Sequence, residues 1–240
     1  MKNTIVESHL PVTLVGGGSI GAGDLAAATD LAPVCVAADG GADAALFAGY
    51  NPVAVIGDMD SISPAGLAQI PPENRHPITE QDSTDFDKAL RNINAPLIVA
   101  VGFSGGRTDH QLAALNTMVV RCDSPVVLLT ERDVVFLCPP QMSLRMEAGT
   151  RVSLFPMGPV TGRSQGLRWP VAGISFEPGK RAGTSNLSTG DLELEMHAPF
   201  MLCLLPRVFL AAVAALFTQL PAQGRWPARA ERHRDLPPSL

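Results

Sequence analysis

Charge is scarce in this chain. Asp, Glu, Lys and Arg make up 17% of its 240 residues against 46% hydrophobic ones, which excludes an intrinsically disordered polymer. Basic residues are outnumbered, 18 to 23, and are scattered. The resulting net charge of −5 argues against nucleic acid as a partner, because phosphate affinity rests on clustered Lys and Arg. No CxxC pair occurs, and Cys35, Cys122, Cys138 and Cys203 lie far apart, so they read as buried thiols of a reducing cytoplasm. Also missing are GxxxxGK[ST], GxSxG and HExxH, which removes P-loop, serine-hydrolase and zincin chemistry. The opening MKNTIVESHLP has no apolar signal core. There is no internal repeat, and the 22 Gly and 21 Pro follow no collagen period. The stretch Phe200–Leu220 is nominally long enough for a membrane, but Pro206 and Arg207 interrupt it. A central charge costs about 2.5–3.5 kcal/mol on insertion, so no membrane span is expected.

What is present alternates. Val12–Val15, Val34–Ala38, Val53–Ile56, Leu97–Val101 and Val126–Leu129 are β-branched-rich runs of strand length that end near Gly, Asp or another polar residue. Between them, Ala42–Ala48, Ser83–Arg91 and Asp109–Arg121 suit helices. The expected fold class is therefore α/β, with a mainly parallel sheet over residues 1–140. From about Gln141, short runs such as Arg151–Phe155, Asp191–Met196 and Phe200–Leu205 are separated by Gly, Pro and Ser turns, which predicts a smaller antiparallel β-sandwich domain over 141–207. Residues 208–240 read as a docked helix and then a flexible tail with few apolar anchors, whose deletion from Pro221 onward is expected to be neutral.

The chemistry-bearing residues fall at strand ends. Gly16–Gly21 literally contains GxGxxG, with Asp39 at the end of the next strand. That pattern fits a dinucleotide turn, a plain reversal, or a turn touching some other nucleotide. Asp39-Gly40-Gly41 and Gly57-Asp58-Met59-Asp60-Ser61 both lie where open α/β sheets bind ligands. In extended backbone Asp58 and Asp60 point the same way, and such a pair either holds a hard cation such as Mg²⁺ or caps turn amides in solvent. In Gln81-Asp82-Ser83-Thr84-Asp85-Phe86-Asp87-Lys88, Asp82 is the expected helix N-cap, and Asp85 remains a metal-site candidate. Gly105-Gly106-Arg107-Thr108-Asp109-His110 puts a guanidinium at a helix start, suited to phosphate oxygens; Asp109 can cap the helix, and His110 reads as an ordinary first-turn residue.

Four blocks in this order, Asp39-Gly-Gly, Gly57-Asp-Met-Asp-Ser, Asp82-Ser-Thr-Asp-Phe-Asp-Lys and Gly105-Gly-Arg-Thr-Asp-His, resemble the thiamine pyrophosphokinase (thiamine diphosphokinase) family. Thr161-Gly162 with Gly166-Leu167-Arg168-Trp169-Pro170, and Gly183-Thr184-Ser185-Asn186, are similar to two further family segments. The resemblance implies transfer of pyrophosphate from ATP to thiamine with Mg²⁺. It also implies catalytic roles for Asp58, Asp60, Asp85 and Arg107, with Asp58, Asp60 and Asp85 on the metal. Asp39, Gly40, Gln81, Arg107 and Asp109 would face ATP, and Trp169, Ser185 and Asn186 thiamine. It further implies a homodimer whose active sites combine two subunits. Ser164-Gln165 looks like an insertion in the first of those segments, residues 208–240 have no counterpart in the family pattern, and the general base is left open between Asp85 and Asp60. Two rival readings are a nicotinamide- or flavin-dependent oxidoreductase built on Gly16–Gly21 and Asp39, and a thiamine- or nucleotide-binding module without turnover.

Overall fold

The computed structural model describes residues 4–121, 124–221 and 224–226. Its first part runs β1 (Val6–Glu7), β2 (Val12–Val15), α1 (Asp24–Leu31), β3 (Val34–Ala38), α2 (Gly41–Phe47), β4 (Ala54–Gly57), α3 (Pro64–Gln69), β5 (Arg75–Pro77), α4 (Asp85–Leu90), β6 (Ile93–Asn94), β7 (Ile98–Val101), α5 (Thr108–Val120) and β8 (Val126–Leu129). Strands β2, β4, β7 and β8 are buried at every position, which is why their sequences are unbroken apolar runs and not alternations. The pairings β2–β7, β7–β8, β3–β4 and β4–β5 are all parallel. β3 lies beside β2, where Val34 N donates to Pro11 O at 3.4 Å.

The remainder comprises β9 (Asp133–Leu137), β10 (Gln141–Leu144), β11 (Arg151–Pro156), β12 (Gly162–Leu167), β13 (Thr184–Met196), β14 (Met201–Pro206) and, after a 3₁₀ turn at Arg207–Phe209, α6 (Leu210–Gln219). β9 pairs antiparallel with both β8 and β14, so the molecule is α/β with one large mixed sheet in the order β10-β13-β11-β14-β9-β8-β7-β2. The change of pattern near Gln141 is real: β10 alternates exposed and buried residues, the mark of a strand covered on one face. The hydrogen-bonded path and the core nevertheless continue across that point, since Val15 and Leu129 share one buried cluster with Phe176 and Leu192. Strand β13 serves two ladders. Its first residues pair with β11, and its later ones with β10 and β12.

Ser164 and Gln165 sit inside β12 opposite Leu194 and Glu193, and the ladder shifts register between Gln165 and Leu167. Gly166, at φ 75°, occupies that irregularity, where the step from Gln165 to Leu167 on β12 faces the longer step from Glu193 to Ser188, so the extra residues of the irregularity lie on β13 while Ser164 and Gln165 pair regularly.

At the C-terminal end, α6 buries Leu210, Val213, Ala214 and Phe217, and the Phe217 ring meets Phe136 edge-on at 5.7 Å. Val208, just before it, is 79% exposed. The tail expected to have few apolar anchors beyond Pro221 has one in Trp226, which packs against two core clusters and whose Nε1 donates to Cys138 O at 2.6 Å. A large ring with one polar handle can dock wherever a free carbonyl lies at an apolar edge, and prolines around it do not prevent that. The rest of the expected tail, residues 222–223 and 227–240, lies outside the described residues, as does Cys122. Cys35, Cys138 and Cys203 are buried free thiols, and burial lifts the Cys35 pKa to about 11. No helix among the described residues is long and apolar enough to cross a membrane.

Candidate active site

Two glycine loops face each other at the ends of β2 and β7. Gly16 N donates to Val101 O at 2.8 Å and Gly18 N to Gly102 O at 2.7 Å. A Cβ on Gly16 or Gly18 would stand 2.6 Å from Gly102 O, so close loop packing accounts for both glycines without any dinucleotide. The same region is tied to the far end of the chain: buried Asp24 accepts from Gly21 N at 2.9 Å and pairs with Arg207, which also donates to Glu131 O at 3.1 Å.

The acids converge on the neighbouring strand ends. Asp39 follows β3 with φ 42°, in the left-handed region that Asp tolerates better than most residues. It is 3% exposed, and its Oδ1 is buried with no hydrogen-bond partner. A Cβ on Gly57 would come 2.7 Å from the Asp39 Cβ, which explains glycine at the end of β4. Carboxylate oxygens of Asp39, Asp58 and Asp60 all lie within 4.8 Å of one another. Asp58 and Asp60 are brought together by a turn at Met59, φ 68°, and not by the extended-strand alternation expected for them. Asp60 N donates to Asp58 Oδ1 at 3.4 Å, and Ser61 Oγ donates to Asp60 Oδ1 at 2.8 Å.

Lys88, on α4 and 2% exposed, donates to Asp58 Oδ2 at 3.3 Å and Asp85 Oδ1 at 3.0 Å. Burial opposes its charge, but the two carboxylates outweigh that and raise its pKa. For Asp58 burial pulls upward, yet the Asp60 amide, Lys88 and the Gln81 side chain together hold the carboxyl below its ordinary range. Asp39 is pushed the other way, first by burial and then by the charges of Asp85 and Asp58, against hydrogen bonding from Ser61 and the Gly40 amide. Lys88 stood within a quoted block, yet sequence reasoning gave it no task; its place among buried Phe86, Ala89 and Leu90 on α4 is the signal that it points inward. Ser61 was likewise without a role.

Asp82 is exposed and does not cap α4. The cap is Thr84, whose Oγ1 accepts from Asp87 N at 3.3 Å, because the helix starts at Asp85, nearer the first buried residue Phe86. Gly40 precedes α2, and Gln81 is exposed beside Asp58. Arg107 precedes α5 and forks onto Asp109 at 3.1 and 2.5 Å; both are exposed, and the guanidinium holds the Asp109 pKa down at about 2. His110 is exposed.

The other group of expected residues is built differently. Asn186, 1% exposed, accepts from Trp169 N at 3.1 Å and Leu187 N at 3.0 Å and donates to Trp169 O at 2.7 Å. Its amide is spent on holding the Trp169 backbone, while the Trp169 ring is 52% exposed with the Arg168 guanidinium 5.0 Å from its centroid. Ser185 lies exposed on β13.

Three clustered carboxylates, one of them buried with an unpartnered oxygen, are hard oxygen donors of the kind that suit Mg²⁺ better than soft metals. Residues 25–128 match the family model for the catalytic domain of thiamin pyrophosphokinase. Thiamine pyrophosphokinase 3 of Oryza sativa subsp. japonica is 29% identical, over 66% of this chain and 72% of that protein. Thiamine pyrophosphokinase 1 of Arabidopsis thaliana is 31% identical, but the match spans only 58% of this chain and 59% of the relative. In fold, the chain is similar to thiamin pyrophosphokinase from Geobacillus thermodenitrificans (TM-score 0.67, 24% identity, 82% of this chain and 97% of that one). It is also similar to the enzyme from Candida albicans (TM-score 0.70, 17% identity, 84% and 92%). The catalytic-domain match, the plant relatives and the solved folds to which this chain is similar all carry the name thiamine (thiamin) pyrophosphokinase.

Proposed function

We propose that this protein is a thiamine diphosphokinase, converting ATP and thiamine to thiamine diphosphate and AMP. The observation that carries the reading is the gathering of Asp39, Asp58 and Asp60 at the strand ends, an acidic site that needs a cation before it can accept a triphosphate. When bound there, Mg²⁺ would neutralise phosphate charge during transfer. The protein's own part is positional. Lys88 fixes Asp58 and Asp85, Arg107 exchanges its bond to Asp109 for phosphate oxygens, and Gly40 and Gln81 line the approach beside Asp39 and Asp58. The thiamine hydroxyl oxygen attacks the β-phosphorus, the bond from that phosphorus to the α–β bridging oxygen breaks, and AMP leaves with that oxygen. The hydroxyl proton passes to a carboxylate, Asp60 or Asp85, and then to water.

In this reading residues 1–140 form the nucleotide half with its parallel strands, and 141–207 form a β-sandwich half that presents thiamine to the exposed Trp169 ring, with Ser185 nearby on the surface and Asn186 underneath. Helix α6 and Trp226 brace the body. The active site is completed across a homodimer, in the cytoplasm. Co-expressing Asp60→Asn and Asn186→Ala chains tests the shared site: verified heterodimers regain one intact site, whereas activity no greater than the two parents summed places each site within one chain.

The direct test is incubation with ATP, Mg²⁺ and thiamine, with products identified by mass. Equal amounts of thiamine diphosphate and AMP are expected. ADP with thiamine monophosphate would refute the assignment, because attack at the γ-phosphorus expels ADP.

A further inference from the structure

We infer that Asp24, held by Arg207 from the far end of the chain, is a positioning residue for the nucleotide: it fixes loop 16–19 as a wedge between the two segments that carry Gly40 and Arg107. The inference rests on the proposed phosphotransfer, which assigns those two residues to ATP. Asp24 opens α1 but does not cap it; Gly23 holds the cap position, and no side chain bonds there. The Asp24 carboxylate, on a residue 5% exposed, instead reaches back over the preceding turn, where Oδ2 accepts from Gly21 N at 2.9 Å and Oδ1 pairs with Arg207. Arg207 is itself fixed at the turn between β8 and β9, its backbone N donating to Arg132 O at 3.0 Å and its Nη1 to Glu131 O at 3.1 Å. One guanidinium thus ties the end of β14 and the β8–β9 turn to the glycine loop after β2.

The loop so anchored touches both sides of the nucleotide region. On one side Gly16 N, Gly18 N and Ser19 N donate to Val101 O, Gly102 O and Ser104 O at 2.8, 2.7 and 3.2 Å, a run of bonds that stops just short of Gly105-Gly106-Arg107. A Cβ on Gly105 would stand 2.8 Å from Ser19 Oγ, and one on Gly102 only 2.3 Å from Gly16 O. On the other side a Cβ on Gly41 would come 2.1 Å from Val15 O, and one on Gly17 would lie 3.6 Å from the Gly40 carbonyl carbon. Contacts this close leave no slack, so a shift of the loop must move Gly40 and the Arg107 segment with it. A buried carboxylate paired with a guanidinium is a poor device for stability alone, because dehydrating the charges costs about as much as their attraction returns. What it supplies is direction: charge-assisted bonds fix the angle as well as the distance between the segments they join. Phosphoryl transfer is sensitive to misplacements of about 1 Å, which makes that direction matter at the nucleotide.

The test measures binding of Mg-AMP-PNP by calorimetry on the full chain, below the Tm of every variant. Asp24→Asn should raise the Kd about tenfold or more, while KM for thiamine stays within about twofold of wild type. Arg207→Lys keeps the charge but not the fork, so its Kd should fall between those of wild type and Arg207→Met. If Arg207→Met folds poorly around its uncompensated carboxylate, the double variant Asp24→Asn with Arg207→Met removes both charges and should match the loss in Asp24→Asn. Ser188→Ala, which removes buried hydrogen bonds on β13, controls for general loosening and should bind AMP-PNP as wild type. Without nucleotide, amide NMR of Asp24→Asn should show shifts at Gly18, Ser19 and Gly105 as well as at Gly21. An unchanged Kd in the Asp24 variants, an equal loss in Ser188→Ala, or shifts confined to residues 21–25 would each overturn the inference, and wild type that binds no AMP-PNP would overturn it together with the phosphotransfer reading. Normal AMP-PNP binding without formation of thiamine diphosphate and AMP would strike the phosphotransfer reading alone, since the binding and NMR results stand without turnover.

Discussion

The two groups of residues expected to meet substrate are opposites in their internal accounts. At the ends of β3 and β4, acids crowd together, one carboxylate oxygen is orphaned and the backbone turns left-handed twice. Around β13, the buried amide of Asn186 has partners for both its oxygen and its nitrogen, and only the Trp169 ring is left to face outward. The first arrangement leaves a buried carboxylate oxygen without a hydrogen-bond partner; the second is complete already. Unsatisfied groups therefore mark where a ligand's charge is wanted, and satisfied ones mark scaffold that presents a surface.

The largest separation should come from Asp60→Asn, which keeps shape and removes charge at the exposed edge of the acidic group. Steady-state kinetics should show turnover falling roughly a hundredfold or more with Tm almost unchanged; retention of more than half the wild-type rate would erase the contrast. Lys88→Met attacks the same region from beneath. It leaves Asp58 and Asp85 without their shared counter-charge, and urea unfolding should register a loss of about 3–5 kcal/mol.

Asn186→Ala should behave in the reverse sense from Asp60→Asn. The Trp169 amide and carbonyl lose their partners, so unfolding free energy should drop by about 1–3 kcal/mol, while KM for thiamine rises more than KM for ATP. An effect on ATP alone would mean that Asn186 does not act through Trp169. Removing the tail from Pro221 should cost about 2 kcal/mol through the lost Trp226 docking, and Trp226→Ala in the full chain should reproduce most of that loss. Truncation without any change in Tm would restore the view of an unanchored tail.

The smallest effect concerns the Arg107–Asp109 pair. Because Asp109 titrates at about 2, below its ordinary range, the pair favours the folded state above that range, and this contribution fades as pH falls through about 2. Carboxyl NMR should find the midpoint there in wild type and back in the ordinary range in Arg107→Ala. Both groups are exposed, so the global stability should hardly respond.

Much of the sheet was legible because doubly covered strands write themselves as unbroken apolar runs; Val12–Val15, Val34–Ala38 and Val126–Leu129 coincide with β2, β3 and β8. What escaped was whatever depends on partners distant in sequence. α1 is short, Ala-rich and without a capping side chain, so nothing local announces it. Thr84 displaced Asp82 as the cap by two residues, a choice that two capable residues so close together leave undecided. Asp58 and Asp60 could be paired from spacing, but Asp39 entered their company only through strand order, and Lys88 only through the packing of α4 against β3 and β4. The unassigned base and the thiamine contacts remain matters of substrate pose, which spacing does not encode.

Strand β13 shares its length between two ladders, and β9 and β14 carry the sheet without interruption from one half of the chain to the other. A hinge needs a place where few bonds cross, and here a continuous girder of backbone hydrogen bonds crosses instead. Any closing of the protein over its substrates must therefore be done by side chains and strand-end loops such as Gly105–Gly106, both at positive φ, moving above a frame that stays still. Evolutionary tuning of rate would then act on loop tips and leave the girder alone.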